Sequence, residues 1–146
     1  MSNIVKFDEY TGKVFGTLYE AFPIPVDLSI KGITGESSAD YLDFTHQEIS
    51  TDSEIAFHSV QWLANTGYLS TSGTNGVDFF NVVLTEKGLE ALRAIPESIN
   101  SENLPLGARL AAAIKTGATE TIIKLSAQTI AVGVKMAFNK IGLALS

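Results

Sequence analysis

The sequence predicts an α+β protein, a body of short helices and a β-hairpin followed by a long C-terminal helical extension. Three observations carry that expectation. Apolar residues recur at helical spacing in separate blocks before residue 97, and an Asn75-Gly76 pair stands between two runs of strand-forming residues. Residues 104–145 then keep a helical apolar pattern almost to the end. At 146 residues, 45% hydrophobic and 18% charged, the chain is long enough and apolar enough to bury a core.

Taken in order, residues 8–21 predict a helix. Val14, Leu18 and Ala21 share a face, Phe15, Tyr19 and Phe22 widen it, Asp8 is a candidate N-cap, and Pro23 with Pro25 forms the stop. Residues 26–30 alternate like a short edge strand, 32–39 read as a Gly/Ser/Thr loop, and 41–48 as a short, weak helix. Thr51-x-x-Glu54 has the spacing of a capping box. It opens a helix whose apolar face is Ala56, Val60 and Leu63, flanked by Ile55 and Trp62, with Gly67 as a left-handed C-cap. Strands at 68–71 and 79–84 flank a turn at 72–76. Thr85 to Gly88 then caps a helix with the stripe Leu89, Leu92 and Ile95.

Residues 98–103 read as a polar linker, with Asn103 as a cap and Pro105 in the first turn of the extension. Four glycines, at 107, 117, 133 and 142, weaken or segment that extension. Its second half shows a narrow polar stripe of Glu120, Lys124, Gln128, Lys135 and Asn139. One apolar seam beside it runs Ile122, Leu125, Thr129, Val132, Met136 and Leu143, and the other Ile123, Ala127, Ile130, Val134, Ala137 and Ile141. A helix apolar over so much of its circumference needs cover on more than one side. The candidate interface residues are Ile122, Leu125, Ile130, Val132, Val134 and Met136. Three arrangements are open: packing on its own body, a homodimer, or an anionic membrane surface.

The run Val60-Gln61-Trp62-Leu63-Ala64-Asn65-Thr66-Gly67-Tyr68-Leu69, a hairpin, and then Val83-Leu84-Thr85-Glu86-Lys87-Gly88-Leu89-Glu90-Ala91-Leu92 resembles winged helix-turn-helix domains. The resemblance covers about residues 5–97. It implies a winged-helix domain over 1–97, with the recognition helix after Thr51 and the hairpin as wing, ahead of the 98–103 linker and the 104–146 extension. The family is best known for gripping DNA, but such a scaffold hosts unrelated activities.

Charge argues against the family's usual ligand. Between Lys31 and Lys87 there is no lysine or arginine, yet the stretch holds Glu36, Asp40, Asp43, Glu48, Asp52, Glu54, Asp78 and Glu86. DNA binders draw most of their affinity from cations on phosphates. Gln61 and Asn65 could read adenine and His58 could meet a phosphate, but the flanking carboxylates repel the backbone. The net charge of −6 divides into −10 over residues 1–103 and +4 over 104–146. The expectation is therefore a non-catalytic protein-binding module whose acidic surface, around Glu48, Asp52, Glu54, His58, Gln61, Asn65 and Asp78, meets a basic protein. In size and acidity the chain is similar to small bacterial immunity and antitoxin-type proteins, which implies an inhibitor of a nuclease toxin. The alternative is a DNA-binding transcription regulator that dimerises through the C-terminal helix. A solvated polar helix face and a merely solubilising acidic surface are the plainer readings.

Nothing in the sequence points to catalysis, a cofactor or a metal. His46 and His58 belong to no metal-binding or triad spacing, and cysteine is absent. The turn at 72–76 lacks the Gly-Lys-Ser/Thr ending of a phosphate loop. The first residues lack a signal-peptide pattern and no uncharged apolar run reaches membrane-spanning length, so the expected location is the cytoplasm.

Overall fold

A computed structural model describes residues 2–35, 42–43, 48–49, 51–96 and 103–145. They form a mixed α+β structure. Helix α1 (Asn3–Ala21) leads to strand β1 (Val26–Ser29) and helix α2 (Ile30–Thr34). The short strands β2 (Leu42–Asp43) and β3 (Glu48–Ile49) precede helix α3 (Thr51–Asn65). Strands β4 (Leu69–Ser70), β5 (Gly73–Thr74) and β6 (Asp78–Leu84) follow, then helices α4 (Glu86–Arg93), α5 (Leu106–Thr116) and α6 (Thr119–Leu145).

Helix α1 starts earlier than its sequence pattern suggested. Ser2 is the N-cap, its hydroxyl accepting from the Val5 N–H at 3.4 Å, so Asp8 lies inside the helix instead of capping it. Burial there pushes the Asp8 carboxyl up from its ordinary pKa, because desolvation disfavours its charged form. The first part of the expected loop at 32–39 is helix α2, capped by the Ser29 hydroxyl and closed by Gly35 at φ 78°. The helix expected at 41–48 is not formed at its described ends. Leu42 pairs with Ile49 and Asp43 with Glu48 in an antiparallel ladder, as suits a stretch rich in aromatic and β-branched residues. His46, Glu36 and Asp40 lie outside the described residues.

Helix α3 includes Thr51 as a helical residue, so Thr51 is not the N-cap that the capping-box reading required. The C-cap expectation is met, with Gly67 at φ 86°. Strand β6 is the centre of the sheet: β1 pairs along one edge, while β4 and β5 pair with it in succession, all antiparallel. At the turn Gly73 and Gly76 have positive φ and Asn75 does not; Asn75 acts through its side chain, whose Oδ1 accepts from the N–H groups of Val77 and Asp78 at 2.9 and 2.7 Å. Thr85 caps α4 by accepting from the Gly88 N–H at 3.1 Å. The stripe of that helix stops at Leu92, since Ile95 lies past its end and is exposed.

The extension divides at Gly117, whose left-handed backbone (φ 69°) ends α5 and lets α6 start in a new direction. Pro105 takes the cap position of α5, with no side-chain cap bond, so Asn103 does not cap it. Both helices pack on α1. A single core holds Val14, Phe15 and Leu18 of α1 with Val60 and Leu63 of α3, and with Leu106, Leu110, Ile122 and Leu125. Glycines in α1 permit that approach: a Cβ on Gly12 would come within 2.5 Å of Ile122, and one on Gly16 within 2.5 Å of Ile114. Thr11 and Ser126 join their buried hydroxyls at 2.6 Å in the same seam. Of the expected C-terminal interface residues, Ile122 and Leu125 are thus covered by the chain's own core, and Ile130 and Val132 pack partly against it.

Candidate partner-binding groove

An open groove of about 600 Å³ lies between the first turns of α1 and one side of α3. Asn3, Ile4 and Phe7 line one wall. Thr51, Glu54, Ile55, His58, Ser59 and Trp62 line the other, one side of α3 at i, i+3, i+4 and i+7 spacing. Ile55 and Phe7 are partly buried, while Ile4 (67% exposed) and Trp62 (39%) stand open to solvent. The floor is therefore largely apolar, and Thr51, Glu54 and His58 are its exposed polar groups on α3.

Aromatic packing fixes the groove's shape. Phe7 meets the Trp62 ring edge-on, centroids 5.3 Å apart, and the other side of Trp62 stacks on Tyr68 at 6.1 Å. Tyr68 is buried, its phenol pKa raised by desolvation, and its hydroxyl donates to the Ile130 carbonyl of α6 at 3.0 Å. Lys87 covers the Tyr68 ring at 4.3 Å and donates to the Thr66 carbonyl at 2.9 Å. That lysine, one boundary of the cation-free stretch, is engaged in holding the aromatic stack.

The expected acidic surface divides on the structure. Glu54 and His58 come together at the groove. Asp52, on the first turn of α3, forms an ion pair with Lys6 of α1, so its charge is neutralised beside the groove. Gln61 and Asn65 share a side-chain contact of 3.5 Å further along the helix and do not line the groove. Asp78 sits on β6, where its carbonyl accepts from the Thr74 hydroxyl at 2.7 Å, and it too is outside the groove lining. The Glu48 side chain lies outside the described residues.

Residues missed at the sequence level are Asn3, Ile4 and Phe7. Their signal was present: Ile4, Phe7, Tyr10 and Val14 continue the i, i+3, i+4 rhythm of α1 backwards, and Ser2 stands before it as a cap. An N-cap at Asp8 would place Asn3, Ile4 and Phe7 outside the helix, whereas the Ser2 cap brings them into its first turns. Among the described residues, no group of three or more His, Asp or Glu side chains is arranged to hold a metal ion. The chain matches no protein-family model, no curated protein and no solved structure in the comparisons made.

Proposed function

We propose that this chain is a protein-binding module of winged-helix type whose α1–α3 groove takes a basic, amphipathic segment of a protein partner. The observation that carries the reading is the pairing of an aromatic floor, Phe7 and Trp62, with the exposed Glu54 carboxylate on a helix free of lysine and arginine. Apolar anchors supply affinity in such grooves, while the rim charge selects partners and speeds encounter. The winged-helix reading is supported by the order α3, antiparallel hairpin, Thr85-capped helix, which follows the motif in the sequence. An immunity or antitoxin-type inhibitor of a basic nuclease toxin is the biological role that suits this chemistry.

Trp62 is the chain's single tryptophan, so its emission reports groove occupancy directly. Titration with a synthetic lysine- and leucine-rich helical peptide is expected to give a saturable change in Trp62 emission. Glu54→Lys, at an exposed position, is expected to weaken that binding about three- to tenfold at low salt and less at high salt, as a rim charge does. An emission spectrum indifferent to the peptide would overturn the reading.

A further inference from the structure

We infer that the groove also receives the C-terminal half of α6 from a second copy of this chain, in a reciprocal exchange that closes as a dimer. The inference rests on the groove reading above and names one occupant for it. Helix α6 has 27 residues and is about 40 Å long at 1.5 Å per residue. Its first half is consumed by its own body: Ile122, Leu125, Ser126 and Thr129 are buried, and Gly133 lies against the Tyr68 ring, where a Cβ would come within 2.5 Å of it. Beyond that contact Met136 and Ala137 are half-buried, and none of the described side chains is fully buried. Val134, Phe138 and Ile141 are 44%, 69% and 55% exposed. They follow i, i+4, i+7 spacing, so they share one face, the arrangement by which a helix anchors itself in an apolar groove.

Charge selects the occupant. Lys135 and Lys140 stand about 100° and 120° to either side of Val134 on the helix, so cations flank the apolar face. The groove offers the complement, an apolar floor beside Glu54 on a helix with no lysine or arginine. Direct pairing of two α6 helices would instead crowd Lys124, Lys135 and Lys140 of each copy together, against Glu120 as the extension's single carboxylate. Reciprocal exchange uses both grooves and both helix ends, which is the self-complementary pattern of a two-fold dimer. It also accounts for the division of charge between an acidic body and a basic extension, because each half finds its opposite across the interface.

Sedimentation equilibrium of the full chain tests this. Wild type is expected to dimerise, more weakly as salt is added. Phe138→Asp and Glu54→Lys, both at exposed positions, are each expected to weaken the dimer about tenfold or more. An equimolar mixture of the two variants should associate better than either alone, since the intact groove of Phe138→Asp can take the intact helix of Glu54→Lys. Wild type that stays monomeric overturns the proposal, as does a Glu54→Lys variant that dimerises like wild type, which would assign the contact to α6 pairing with α6. Monomeric wild type that floats with phosphatidylserine vesicles through Phe138 gives the face to lipid and also overturns it. If Trp62 responds to the lysine-rich peptide while wild type remains monomeric, the groove reading stands and this inference alone fails; if neither occurs, both fail.

Discussion

Thr11 and Ser126 are 115 positions apart, yet their hydroxyls meet at 2.6 Å in the seam between α1 and α6. The Thr11 hydroxyl also lies 2.8 Å from the Phe7 carbonyl, which can only accept, so the consistent assignment has Thr11 donating there and Ser126 donating to Thr11. Thr11→Val is expected to cost about 1–3 kcal/mol in chemical denaturation, because it leaves the Ser126 hydroxyl buried without its acceptor. The double variant Thr11→Val/Ser126→Ala should cost less than the sum of the two single changes, since it removes both halves of the pair. Neither residue announced this in the sequence. A serine and a threonine on apolar helices read as tolerated polar positions until the fold brings them together. Gly12 and Gly16 were equally silent, for their value lies in what approaches them, Ile122 and Ile114 from distant helices.

At the scale of elements, legibility followed how local the determining interaction is. Thr85 and Gly67 act through bonds and dihedrals within a few residues, and both were readable from the sequence. The hairpin was readable too from the Asn75-Gly76 pair, in which Gly76 takes the positive φ and Asn75 contributes its side-chain oxygen. The start of α1 was misplaced because an acidic residue was available as a cap at Asp8, and the serine that caps it lies six residues earlier. The groove was half legible: Glu54, His58 and Trp62 belong to a helix with a clear pattern, whereas Ile4 and Phe7 belong to turns of α1 that precede Asp8. Helices α5 and α6 complete the cover of α1. Leu106, Leu110, Ile122 and Leu125 are each worth about 1.5–3 kcal/mol when fully buried, together comparable with the whole margin of a typical domain, about 5–15 kcal/mol. A fragment ending at residue 103 is therefore expected to lose the cooperative thermal transition of the full chain, followed by circular dichroism. A sharp transition retained in that fragment would show that α1 finds cover without them.

Over the whole molecule, charge is distributed more unevenly than fold. Among the ion pairs described, Lys6 with Asp52 and Lys13 with Glu9 lie within the acidic body, while Lys115 with Glu20 at 3.2 Å connects it to the extension. That last pair is largely exposed, so it steers more than it stabilises. Helix α6 keeps Lys124, Lys135 and Lys140 exposed. Random duplex DNA is expected to show no micromolar binding by fluorescence anisotropy at low salt, because the α3–hairpin surface lacks the cations that contact phosphates. Tight binding with a steep salt slope would move the nucleic-acid reading ahead of the protein-binding one. The same absence of cations that set the fold resemblance against DNA now has a place, the open side of α3 beside Trp62.

The groove has one practical consequence for anyone handling the protein. Asn3 and Ile4 line it, and Ser2 caps the helix that carries them, so a purification tag fused ahead of Ser2 emerges at the rim of the surface to be measured. A tag fused after residue 146 follows the helix that presents Phe138 and Ile141. Tagging either end therefore places foreign sequence beside one of the two open apolar surfaces. Binding and self-association are best measured on protein from which the tag has been removed.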